Sequence, residues 1–364
     1  MSLKIGIVGF PNVGKSTLFN ALLKKTVALA ANYPFATIEP NVGIVEVPDN
    51  RFEGLKKVVH DEYYNPNSTR EVPERIVPAI IEFVDIAGLV KGASSGQGLG
   101  NKFLSHIREV DAIAHVLRDF TDPNVVREGS TEPLTDREVI EIELALADID
   151  IVQKRIERVK NDLKKGSNSD LEEELSILEI MLKRLEAGID KTNISEKEME
   201  MAKRFNLLFY KPKISVFNID ESKISEYEGR EDGNIYLCAK LESELVLLDE
   251  ESSKEFMNEM GIKESGLNKL IKKGYDLLGL QTYFTAGPKE VRAWTIKKGA
   301  KAPEAAGVIH TDFEKGFISA DIISYDDLIK AGSYKNAKSM GVLRNEGKAY
   351  TMQDGDVVEF KFNV

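Results

Sequence analysis

The chain has 364 residues, 42% of them apolar and 30% charged, the profile of a water-soluble globular protein with two or three domains. Its formal net charge of −11 argues against a protein that coats nucleic acid nonspecifically, because such binding rests on neutralised phosphates. No run of about 18 apolar residues exists, so neither a membrane-spanning helix nor a membrane partner is expected. The first residues read straight into a strand and leave no room for a signal peptide, and Cys238 is the single cysteine. A cytoplasmic location fits both. His60, His106, His115, His310 and Cys238 have no metal-ligand spacing, which disfavours a protein-caged zinc but leaves room for a nucleotide-bound magnesium.

In chain order, the apolar run Leu3–Val8 predicts a strand, and "GFPNVGKSTLFNALL" follows it. Gly9-x-x-x-x-Gly14-Lys15-Ser16 is a phosphate cradle: glycines let successive amides point at phosphate oxygens, and the helix after them adds its positive end. Lys15 is placed to reach the outer phosphates and Ser16 to ligate magnesium. A chance glycine-rich turn is the rival reading, and the strand before and helix after argue against it. "NYPFATIEPNVG" carries Thr37, a candidate for completing the metal shell. "FVDIAGLVKGA" ends a buried strand at Asp85, a metal-side carboxylate, with Gly88 offering its N–H to the outermost phosphate as in a DxxG motif. Kinase and Rossmann signatures are absent. The expected architecture is an α/β domain with a mainly parallel sheet, whose strands are LKIGIVGF, NVGIVEVP, AIIEFVDIAG, AIAHVLRDF, KPKISVFNID and NIYLCAK.

Between the fourth and fifth of these strands the chain is charged and helical. Three capping boxes mark helix starts: Thr135 with Glu138, Ser169 with Glu172, and Ser195 with Glu198. "KKGSNSD" (164–170) breaks the pattern, which predicts an antiparallel helical hairpin with a first arm about 45 Å long. From about Gln281 the residues are strand-like, with Gly and Asp at the turns and nearly balanced charge, consistent with a small α+β domain.

Two features depart from an ordinary GTPase. Leu89 follows the DxxG glycine where Ras-like proteins have a water-orienting glutamine. Instead of N-K-x-D, the strand "KPKISVFNIDESK" presents Asn218-Ile219-Asp220-Glu221. Glu221 is one methylene longer than aspartate and misplaced for guanine's paired donors, whereas Asn218 suits adenine's amine. "CAK" puts Ala239 and Lys240 near the base.

"GFPNVGKSTLFNAL", "NYPFATIEPNVG", "DIAGLVKGASSGQGLGNKFL", the N-x-x-E variant and the closing "GLQTYFTAGPKEVRAWTI…HTDFEKGFI…DGDVVEFKFNV" together resemble the YchF/Obg-like ATPase family, essentially end to end. The resemblance implies an Obg-type P-loop domain over 1–278, an inserted coiled-coil helical arm over 122–206, and a C-terminal ubiquitin-like TGS domain over 280–364. It implies nucleotide contacts at Asn12, Val13, Gly14, Lys15, Ser16 and Thr17, magnesium at Ser16 and Thr37, and the base at Asn218 and Ile219. His115 lies where the family has a histidine proposed to assist hydrolysis; a satisfied buried histidine is the competing reading. The implied partners are ATP, Mg2+ and the ribosome, with the subunit contacted left open and RNA met through the ribosome. A GTPase switch and a nucleotide-gated binding module with incidental hydrolysis stay open as alternatives, and direct RNA binding by the arm or the TGS domain is the weaker third.

Overall fold

The computed structural model describes residues 3–27, 41–64, 71–86, 88, 99–166, 168–188 and 193–363. Among them the strands, in chain order, are β1 (Lys4–Val8), β2 (Val42–Glu46), β3 (Arg75–Val77), β4 (Ile80–Asp85), β5 (Ala112–Asp119), β6 (Lys213–Ile219) and β7 (Ile235–Leu237). Five more follow: β8 (Leu280–Ala286), β9 (Glu290–Lys297), β10 (Phe317–Ser324), β11 (Arg344–Glu346) and β12 (Asp356–Phe362). The chain divides into two compact units. Among the described residues, one comprises those within 3–27, 41–43 and 82–270, and the other those within 44–81 and 271–363.

The first unit contains β1, β5, β6, β7 and most of β4, which belong to a six-stranded sheet of order β2-β4-β1-β5-β6-β7. β1 pairs in parallel with β4 and β5, β5 with β6, and β6 with β7. Seven of the eight β5 residues are buried, and four of the five in β1. Strands covered on both faces have no polar side to show, which is why these segments read as continuous apolar runs. Parallel pairing aligns the carboxyl ends of β1, β4, β5 and β6, the edge of an open α/β sheet where ligands bind.

The predicted hairpin is present in this unit. Its first helix, Pro133–Leu163, has 31 residues, about 46 Å at 1.5 Å per residue, and the second is Ser169–Ala187. Val152, Ile156 and Val159 pack with Leu178, Met181 and Leu185, and Arg155 clasps Glu174 with two bonds of 2.6 and 2.9 Å. Two of the three expected caps are displaced. The first helix starts at Pro133 with Glu132 as its cap, because proline at the first helical position needs no N–H partner. Asn168, not Ser169, caps the second by accepting from Asp170 and Leu171 N–H. Ser195 caps the third helix, Glu196–Arg204, as expected. Glu198, however, does not reach back to the cap; it accepts from Arg184 Nε at 2.8 Å and Tyr210 OH at 2.7 Å in the arm's base.

The second unit has a six-stranded sheet of order β11-β10-β12-β8-β9-β3. Residues 44–81 belong to it as well as the C-terminal residues. β3 pairs in parallel with β9, Arg75 beside Glu290 and Val77 beside Arg292. Phe52, on the helix Arg51–Tyr63, sets its ring edge-on to Phe284, with centroids 5.6 Å apart. Arg51 joins Asp49 to Asp354. A three-residue strand carries too little pattern to be seen in sequence, so this contribution to the C-terminal sheet was not legible there.

Candidate functional site

The chain leaves β1 through Gly9 and enters the helix Lys15–Val27 through Gly14. A Cβ on Gly9 would collide with the main-chain oxygen of Val116, and one on Gly14 with the Asn218 carboxamide. Gly14 also has φ +98°, and Asn12 holds φ +60°. The cradle thus needs glycine for close approach and for a left-handed bend.

Lys15 is buried, and its ammonium donates to the Phe10 carbonyl at 2.6 Å. Burial lowers its pKa, opposed by the charges of Asp85 and Glu128. Burial raises the Asp85 pKa, opposed by Lys15 and by the Ser16 hydroxyl, which donates to Asp85 Oδ2 at 3.3 Å. A Cβ on Gly88 would lie 3.1 Å from Lys15 Nζ and 3.3 Å from Pro11 N, so the DxxG glycine rests against the cradle. The hydroxyl and carboxylate of Ser16 and Asp85 are hard oxygen donors on adjacent elements, a set that fits magnesium. Thr37 and Leu89 lie outside the described residues.

Asn12, Gly14, Lys15, Ser16 and Thr17 line a cleft of about 640 Å³ together with Asn218, Ile219, Ala239 and Lys240. Val13 is buried beneath it. Asn218 acts as a bracket: its Nδ2 donates to the Val13 carbonyl at 3.0 Å, and its Oδ1 accepts from Ala239 N at 2.9 Å. One N–H and one lone pair of the carboxamide stay available for a base. Asp220 turns away from that role. Its two oxygens accept from Thr121 N at 3.1 Å and Thr121 Oγ1 at 3.2 Å. Glu221 follows on the cleft wall, exposed.

The wall facing these residues, Phe120 to Val125, was not anticipated. It is organised by Arg118, whose buried guanidinium donates to the carbonyls of Phe120, Asp122, Val125 and Val126 at 3.2–3.4 Å. Burial lowers the Arg118 pKa, and Arg127 adds to the effect. Asn12 Nδ2 donates to the Val126 carbonyl at 3.3 Å, tying this loop to the cradle. Arginines bonding main-chain carbonyls leave no spacing signature.

His115 is brought to a different place. It sits on β5 in register with Val8 and Ser215, 2% exposed, and is not among the cleft-lining residues. Its Nε2 is buried without a hydrogen-bond partner among the described residues. Burial, with Lys213, Arg137 and Lys15 near by, pushes its pKa down to about 3, so the imidazole is neutral at physiological pH.

Comparison with known proteins agrees with this fold. Residues 4–154 match the family model described as a 50S ribosome-binding GTPase, and residues 280–363 match the YchF GTPase C-terminal model, described as a protein of unknown function. The chain is 49% identical over 380 residues to a Bacillus subtilis protein named ribosome-binding ATPase YchF, covering all of both chains. Its 49% identity to the Haemophilus influenzae protein and 48% to the Escherichia coli O157:H7 protein, both of the same name, also cover all of each chain. A solved structure, that of the Schizosaccharomyces pombe YchF GTPase, superposes with a TM-score of 0.86 at 38% identity, covering 99% of this chain and 98% of that one.

Proposed function

Because this chain belongs to the YchF family of P-loop nucleotide hydrolases, we propose that it is a magnesium-dependent ATPase, favouring ATP over GTP, that acts as a nucleotide-controlled ribosome-associated switch. The observation that carries the adenine preference is the capture of Asp220 by Thr121. Guanine is read by an aspartate accepting from two adjacent base donors. Here the one aspartate of the motif has both oxygens engaged, and the next carboxylate, Glu221, is a methylene too long. The relatives' names divide on the same point, ATPase in the bacterial proteins and GTPase in the yeast structure.

The proposed division of labour follows from the cradle. The amides of residues 12–17 and the amino end of the helix Lys15–Val27 receive the phosphates, and Lys15 stabilises charge building on the transferring group. Ser16 and Asp85, with Thr37, would hold magnesium, which supplies charge neutralisation at the phosphate oxygens. Asn218, Ile219, Ala239 and Lys240 would enclose the base, and Gly88, beside Lys15, would offer its N–H to the outermost phosphate. Leu89 cannot orient water, so hydrolysis is slow until another group or a partner does so. His115 would act, if at all, as a neutral ring through Nε2. A His115→Ala protein with unaltered single-turnover hydrolysis removes it from the mechanism.

A cytoplasmic location and a domain plan of 1–278, 122–206 and 280–364 complete the proposal. Among the described residues no helix is long and apolar enough to cross a membrane. Calorimetric competition between ATP and GTP on the purified protein tests the reading; GTP binding orders of magnitude tighter would overturn it.

A further inference from the structure

The C-terminal unit holds a groove of about 750 Å³ that the nucleotide machinery does not use, a size typical of small-ligand sites. β12 and β8 pair in parallel at Val357 and Phe284. β8 ends at Ala286, whereas β12 runs on to Phe362, and the groove lies beside this extension at the β8–β9 turn. Trp294, Ile309, Phe313 and Phe360 give it an apolar floor, and the Tyr63 ring, 43% exposed, stands at its rim.

The charges around the groove are unequally committed. Glu62 accepts from Tyr334 N at 2.8 Å, and Glu290 pairs with Arg75 at 2.6 Å. Asp321 is held by Lys361 at 2.5 Å and by Asn345 at 2.6 Å. Among the described residues, the side chains of Lys289, Lys335 and Lys338 form no hydrogen bond or ion pair, although Lys338 lies near enough to Asp321 to help lower its pKa, and Glu359 is the one lining carboxylate without such a bond. Lys335 and Lys338 are three apart on the helix Tyr334–Ser339, so they share a face. After pairing, the groove retains a surplus of ammonium groups over an aromatic floor.

We propose that this groove binds a free nucleoside phosphate, its base against Tyr63 and the apolar floor and its phosphate at Lys335 and Lys338. Base–aromatic stacking and lysine–phosphate attraction are the two interactions that the lining offers together.

Trp294 is the only tryptophan of the chain and lines the groove, so its emission reports on this site and not on the P-loop cleft. The test is a titration of the full chain with uridine 5′-monophosphate, followed by Trp294 fluorescence. A saturable change is expected, unaltered in Lys15→Ala. Lys335→Ala and Lys338→Ala should each weaken binding about five-fold, the factor that a partly exposed ion pair of ~1 kcal/mol supplies. Tyr63→Phe should bind normally and Tyr63→Leu poorly, with ATP hydrolysis unchanged in all four groove variants. The proposal is overturned by the absence of a saturable change, by wild-type affinity in both lysine variants, or by loss of the signal in Lys15→Ala. Equal binding of inorganic phosphate, or binding of a short oligoribonucleotide without the mononucleotide, would overturn it too.

Discussion

The Asn218 carboxamide donates to the main-chain oxygen of Val13 across 205 positions of sequence, at 3.0 Å. With the bond from Ala239 N, it fastens the phosphate cradle to the base-binding loop. Asn218→Ala removes both bonds and leaves a buried donor and acceptor without partners, at a cost of about 1–3 kcal/mol. Nucleotide affinity should fall about ten-fold or more by calorimetry. Gly14→Ala should be worse, since its methyl group would meet the same carboxamide and the backbone is left-handed there. Wild-type affinity in either variant would remove the bracket from the binding mechanism.

Lys15→Ala should cut single-turnover hydrolysis about 10²–10³-fold, the effect of losing one fixed group that stabilises transition-state charge. Near-normal circular dichroism and melting are expected beside it, because in the wild type that buried ammonium bonds only one carbonyl among the described residues. A rate within a few-fold of wild type would exclude Lys15 from the chemistry.

Base choice should be transferable. Ile219→Lys with Glu221→Asp restores the lysine stem and the shorter carboxylate while leaving the Asp220–Thr121 bonds in place. The ratio of GTP to ATP affinity should rise by about ten-fold, the scale of one recovered hydrogen-bonded match. An unchanged ratio would place the discrimination elsewhere in the cleft.

Asp148 gives a pH prediction. It is fully buried at the arm's base, accepts from Phe209 N at 2.8 Å, and burial lifts its pKa to about 6 from the usual 3.8. A raised carboxylate pKa means that the folded state holds the proton more tightly. The associated stability is present below about pH 4 and is lost as pH rises through about 6. Asp148→Asn mimics the protonated form, so it should be more stable than wild type at pH 7.5 by on the order of 1–3 kcal/mol. The gain should vanish by about pH 4, as urea melts at the two pH values would show. His115 acts in the opposite sense: its depressed pKa costs stability as pH falls from about 6.5 towards 3.

The Glu198 carboxylate supports the arm's base. It is 2% exposed and takes bonds from Arg184 and Tyr210, so Glu198→Ala strips a largely buried guanidinium and a phenol of their shared carboxylate. A loss of about 3–5 kcal/mol is expected in equilibrium unfolding. A loss below about 1 kcal/mol would show that the three groups do not act together.

Local chemistry was enough to reveal the phosphate cradle, the six strands of the first sheet and the helical hairpin. Each depends on a short-range rule: glycines framing a lysine and a serine between a strand and a helix, buried runs without polar alternation, and a charged helical stretch interrupted at a Gly-Ser-Asn break. Tertiary structure alone decided what distant segments do to one another. It placed Arg75–Val77 beside β9, turned Asp220 onto Thr121, built a cleft wall from Arg118 and main-chain carbonyls, and buried His115 as a neutral ring. Those outcomes depend on desolvation and on hydrogen-bond and strand partners that range from a few to more than two hundred positions away, which no local pattern encodes.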